Sequence, residues 1–144
     1  MKKLVFFVGI SHKNNKDGKL LEAFSSETNS GQLIEKIEKC LELCEIYKTN
    51  LVDFTPLNEI GKIRYPNKVE KITGLKKLEN KINNLNPDLI ILFGKQVYDF
   101  VLSNTIIDKS IFISSQHPSY IAVYKRKEEE KYINDLYEKI KKHL

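Results

Sequence analysis

Two runs of strand length, Lys3–Gly9 (KLVFFVG) and Leu89–Gly94 (LIILFG), are apolar without interruption once past Lys3. A strand with one wet face alternates apolar and polar residues, so a run that does not alternate needs cover on both faces. A parallel sheet between two layers of helices meets that need. The intervening segments supply the helices. One begins near Ser30, with Asn29 or Ser30 as N-cap, and puts Leu33, Ile34, Ile37, Leu41 and Cys44 on one face. A second runs from about Val69 to Asn84 behind the stripe Ile72, Leu75, Leu78, Ile82 and Leu85, with Gly74 out of keeping inside it. A third, Lys95–Ser103, presents Val97, Phe100 and Val101, and the last, about Lys127–His143, buries Tyr132, Ile133, Leu136, Tyr137 and Ile140 under an outer face of Lys and Glu. Further strands fall within Ile46–Phe54 and at Ser110–Ser115. Strand and helix thus alternate four times. This predicts an α/β fold, a three-layer α/β/α sandwich around a central four-stranded parallel sheet, as a single domain over residues 1–144.

Charge and cysteine content narrow the partners. With 24 Lys and Arg against 19 Asp and Glu, the net charge is +5 and the pI about 9.1, which suits a polyanion. Much of the lysine is interleaved with glutamate and simply solvates helix faces. Cys40 and Cys44, four apart in a helical pattern, could share a face, but two thiols do not complete a structural zinc or iron–sulfur site. They read as buried or half-buried free thiols of a reducing cytoplasm. No apolar run has the length of a membrane span, and Met1–Ile10 is too short and too β-rich for a signal sequence. A cytoplasmic monomer is expected.

In a sheet of this kind ligands gather at the carboxyl ends of the strands. After the first strand comes Ile10–Asn29, long and aperiodic, anchored by Leu20-Leu21-Glu22-Ala23-Phe24; it reads as an ordered functional loop. Asn50 stands among strand residues, where a buried amide must find partners. Gly94 allows a tight turn into a helix. After the last strand comes Gln116-His117-Pro118-Ser119-Tyr120, where proline predicts that His117 stands on a rigid loop rather than in a helix. Alone, His117 reads first as a surface histidine in an ordinary turn. Together these segments predict a cleft holding an amide, an imidazole and the loop that carries Phe24. The basic stretch Glu59–Asn67, with Lys62, Arg64 and nearby Lys68 around Tyr65, reads as a phosphate contact or a solvated loop. No Walker loop, dinucleotide fingerprint or Ser-His-Asp set is present.

These blocks resemble the uracil-DNA glycosylase superfamily, and most closely its short bacterial and archaeal members of the family 4 type. Phe6-Phe7-Val8-Gly9, the loop to Phe24 and Ser30-Gly31-Gln32-Leu33-Ile34 are similar to the first motif, its aromatic residue and the following helix start. Tyr47–Val52 resembles the strand that delivers an asparagine, with Thr55-Pro56-Leu57-Asn58 after it. Asn86–Val97 resembles the third strand with its glycine turn, and His117-Pro118-Ser119-Tyr120 resembles the motif that closes the site. The resemblance implies a DNA partner and cleavage of an N-glycosidic bond on a flipped-out base. His117 would donate to the departing base, Asn50 would read its Watson–Crick edge, and Phe24 would stack on it, with Gly9 and Ile10 beside the substrate. Ser119, Lys125 and Arg126 would hold phosphates, and Tyr120 or Ile121 would fill the gap in the stack. The chain also departs from the pattern. Where the family has an acidic or amide residue after the glycine, this chain has Ile10, and where a proline is expected it has His12. Ser11, His12, Asn14 or Asp17 would then serve the water, His12 being chemically the most apt. The cluster cysteines of family 4 are absent, so no iron–sulfur cofactor and no metal are expected.

Overall fold

A computed structural model describes residues 2–144. Four strands, β1 (Lys3–Ser11), β2 (Cys44–Val52), β3 (Leu89–Phe93) and β4 (Phe112–Ser115), form one sheet in the order β2-β1-β3-β4, every pair parallel. Alternation along β1 divides the core. Val5 and Phe7 face a cluster built with α1 (Asn29–Cys40), α4 (Pro118–Tyr124) and α5 (Glu129–His143). Phe6 and Val8 face the opposite cluster, built with α2 (Lys68–Leu85) and α3 (Lys95–Asn104). All five residues of β3 are buried, as a run without alternation requires. The architecture is the expected α/β/α sandwich. Because β1 lies between β2 and β3, the chain reverses direction of travel across the sheet beside β1, and a crevice opens there at the carboxyl ends.

Several boundaries differ from expectation. The N-cap of α1 is Thr28, whose side chain accepts from the Gly31 N–H, rather than Asn29 or Ser30. The helix ends at Cys40 and Cys44 opens β2, so the two cysteines share no helix face; Cys40 is exposed and Cys44 half-buried. Leu41 keeps its place in the core only as the residue that terminates the helix. Before β4, Asp108 caps a 3-10 turn over Lys109–Ile111, which delays the strand to Phe112. The largest correction concerns the segment after His117, which is helical. His117 is the N-cap of α4 and Pro118 is its first residue, the one helical position where a missing N–H and a fixed φ are harmless. Gly74, anomalous by propensity, is explained by packing. A Cβ there would lie 1.9 Å from the Leu51 carbonyl oxygen, so glycine lets α2 seat directly on β2.

Candidate active site

The carboxyl ends of β1, β2 and β4 bring the expected residues to one recess, lined by Ser11, His12, Lys13, Leu21, Glu22, Phe24, Ser25, Thr28, Ser30, Asn50 and His117. Register accounts for part of this. Gly9 pairs with Asn50 across β1 and β2, and a Cβ on Gly9 would stand 2.5 Å from the Asn50 Oδ1 and 3.1 Å from the Phe24 ring. The absent side chain is therefore what allows the amide and the aromatic ring to meet over the strand.

Asn50 is 8% exposed, yet among the described residues no group hydrogen-bonds its side-chain amide. Its amide atoms are not sealed in the core but line the recess, where they are free to bond water or a ligand. Phe24 closes one side of the recess from a left-handed backbone conformation, φ 52°, that non-glycine residues seldom adopt. Its ring meets Phe93 edge-on at 5.3 Å and lies 6.2 Å from the His117 ring.

His117 is held in one tautomer. Its Nδ1 accepts from the Ser119 N–H at 3.1 Å and lies 2.7 Å from the Ser119 hydroxyl. An Nδ1 that accepts carries no proton, so in the neutral ring the proton is on Nε2, which is left as a donor. Burial, with the Lys13 ammonium as the smaller cause, pushes its pKa down from 6.5 to about 4. The loop carrying His117 is braced from α5: the Tyr132 hydroxyl donates to the Gln116 carbonyl at 2.6 Å, and burial raises the tyrosine's pKa.

Two further recesses share His117. One, of about 330 Å³, is lined by Ile10, Lys13, Tyr65, Phe93, Gly94, Lys95, Gln96, Val97 and Ser119 besides the imidazole. Ile10 thus faces the side of β1 opposite Ser11 and falls in this recess, away from Asn50. Gly94, with φ 100°, makes the turn that starts α3 there. The other recess is lined in part by Tyr120, Tyr98 and Lys139. The enclosed part of the Asn50 recess is only about 30 Å³, room for water and not for a nucleobase.

The remaining sequence candidates are dispersed. The Ser119 hydroxyl is engaged with His117, and Tyr120 is 42% exposed on α4. Ile121 is 4% exposed and packed in the core, so it cannot enter a base stack. Lys125 and Arg126 are exposed at the end of α4 and line none of the three recesses. Asn14 Oδ1 accepts from Thr55, and Asp17 is exposed in a turn. Lys13, Lys95 and Glu22 were not singled out by the sequence, where a Lys or Glu among so many carries no signal. Among the described residues no group of three or more His, Cys, Asp or Glu is placed to hold a metal ion, and no helix is long and apolar enough to cross a membrane.

Comparison with known proteins bears on the fold and the family. No curated protein matches the sequence. Among solved structures, that of wild-type Pedobacter heparinus SMUG2 superposes with a TM-score of 0.69 at 17% identity, over 97% of this chain and 75% of that one. The family model of the uracil DNA glycosylase superfamily matches residues 3–141. The chain belongs to the uracil DNA glycosylase superfamily.

Proposed function

We propose that the protein is a DNA glycosylase, releasing uracil or another modified base from DNA by cleaving the N-glycosidic bond of a flipped-out nucleotide. The observation that carries this reading is the Asn50 amide, without a hydrogen-bond partner among the described residues and lining a recess shared with a histidine fixed as an Nε2–H donor. An amide offers one donor and one acceptor, which complement the N3–H and O4 of uracil read side by side. Loss of the base leaves negative charge on the uracil ring, and a preorganised neutral donor at O2 stabilises that charge as it develops. His117 meets this requirement, because a pKa near 4 keeps the ring neutral across the working pH range. Phe24, at the wall of the recess, supplies a face for stacking once the loop opens.

The test is release of base from single- and double-stranded oligonucleotides that carry one uracil, read as alkali-labile strand breaks. Wild-type protein is expected to cut, and His117→Ala and Asn50→Ala to lose roughly 10²-fold or more in rate. Well-folded protein that releases neither uracil nor other modified bases would sink the reading. A second reading, a module that binds DNA or a nucleobase without cleaving, draws support from Ile10, which cannot serve a water, and from the small size of the recess. Salt-dependent binding to DNA with no base release would favour it.

A further inference from the structure

Cleavage of a glycosidic bond by water needs an acceptor for the water's proton, and Ile10 is not one. The recess that holds Asn50 contains a second histidine, His12, whose ring is also fixed in one tautomer, opposite to that of His117. Its Nδ1 lies 2.8 Å from the Leu21 carbonyl oxygen. A carbonyl only accepts, so Nδ1 carries the proton and Nε2 is left as an unprotonated acceptor. The backbone on either side is tied as well. The Thr55 hydroxyl donates to the His12 carbonyl at 2.9 Å, and the Leu21 N–H donates to the Lys13 carbonyl at 2.8 Å.

We propose that His12 is the general base of the site, a role that rests on the glycosylase reading above. Its Nε2 takes a proton from a water whose oxygen bonds to C1′ of the deoxyribose. The C1′–N1 bond breaks with its electron pair passing to the base, where His117 Nε2–H receives the developing charge at O2. The products are an abasic sugar and the base anion, which takes a proton from solvent, while the proton on His12 returns to solvent. Glu22 is the rival, as the carboxylate that also lines this recess. Its side chain is exposed and, among the described residues, makes no hydrogen bond, so nothing holds it in a reactive position. Ser11 lines the recess too, but a hydroxyl is too weak a base at neutral pH. The titratable groups that face His12 are Lys13 from its own segment, Glu22 from the loop and His117 from the start of α4.

His12→Asn is the informative variant. The Asn Nδ2–H₂ can replace the bond to the Leu21 carbonyl, while the Nε2 acceptor is lost. In His12→Asn the rate of base release at neutral pH is expected to drop about 10²-fold, with single-stranded DNA still bound. Wild-type rate in His12→Asn would overturn the proposal while leaving the glycosylase reading intact. A loss of that size in Glu22→Gln but not in His12→Asn assigns the base to the carboxylate and overturns it equally. Nitrogen-15 spectra of the wild-type protein test the tautomer independently of turnover: Nδ1 of His12 is expected as the protonated nitrogen at neutral pH, and protonation on Nε2 refutes the assignment. A protein that releases no base at all overturns both readings.

Discussion

At the scale of single residues the site depends on groups that are missing or unpaired. Gly9→Ala is the sharpest case. The added methyl would fall 2.5 Å from the Asn50 Oδ1, and the amide and Phe24 would have to part. Overpacking of this kind costs about 1–3 kcal/mol in stability. Base release is expected to suffer more, by roughly 10²-fold, because displacing a reading group by an ångström is enough. Thermal unfolding and a base-release assay on the same preparation would separate the effects, and a variant of full activity would remove Asn50 from the reading of the base. His117 has its own signature in folding. Above its ordinary pKa of 6.5 the ring is neutral in folded and unfolded chains alike, so it adds no pH dependence. Below that, the unfolded chain takes up a proton that the folded one refuses until about pH 4. Stability is therefore lost as pH falls from 6.5 towards about 4, at no more than about 1.4 kcal/mol per unit. Urea unfolding of wild type and His117→Gln at about pH 7 and about pH 4.5 is expected to find the wild type the more acid-sensitive; equal sensitivity would mean that the imidazole is not held neutral.

At the scale of elements, glycine again decides how closely parts approach. Alanine favours a helix interior over glycine by about 1 kcal/mol, yet Gly74→Ala is expected to lower the thermal midpoint, because the methyl would strike the Leu51 carbonyl in the adjacent strand. A raised midpoint would mean that α2 lifts from β2 at little cost. Since β2 carries Asn50, base release is expected to fall with stability. Thr28→Ala, which removes the cap of α1, is expected to cost about 1 kcal/mol without touching the strands. The strands were the legible part of the sequence, because residues such as Phe6, Phe7, Ile90 and Ile91 must be covered on both faces whatever the details. Helix ends were less so. Thr28, Asn29 and Ser30 are all competent caps, and only the fit of Gly31 under the Ser25 carbonyl, where a Cβ would lie 1.8 Å away, selects among them. The α4 helix was hidden because Pro118 ends a helix when it comes late and starts one when it comes first. Asn50 and His117 could be named from their strand ends. The tautomers of His12 and His117 could not, since each is set by a contact, at Leu21 and at Ser119, that exists only after folding.

At the scale of the molecule, the net charge of +5 says little until its distribution around the crevice is considered. Ion pairs take up part of the lysine: Lys36 with Glu129, Lys48 with Glu38, Lys77 with Asp53. Lys139 is engaged too, through its ammonium and the Ser114 carbonyl. Lys13 and Lys95 are different, being exposed, outside any ion pair among the described residues, and on the lining of the recess that Ile10 shares with His117. The exposed Tyr65 lies there as well. Cations and an aromatic face beside the Asn50 recess would suit a phosphate backbone with a displaced nucleotide. Affinity for single-stranded DNA should then fall steeply between about 50 and about 200 mM salt, through release of counterions. Lys13→Ala and Lys95→Ala should each weaken binding for all sequences alike and reduce the slope of log K against log salt by about 0.7 for a single strand. Lys125→Ala and Arg126→Ala, away from the recesses, should leave the slope unchanged. Lys13 has a second effect that Lys95 lacks, since its charge is one cause of the lowered pKa of His117. In Lys13→Ala the pKa of His117 should move up, and the acid loss of stability should end at higher pH than in Lys95→Ala. A common loss of slope with a pH shift confined to Lys13→Ala would tie the phosphate-binding rim to the electrostatics of the imidazole; equal pH behaviour in the two variants would leave burial as the sole cause of its neutrality.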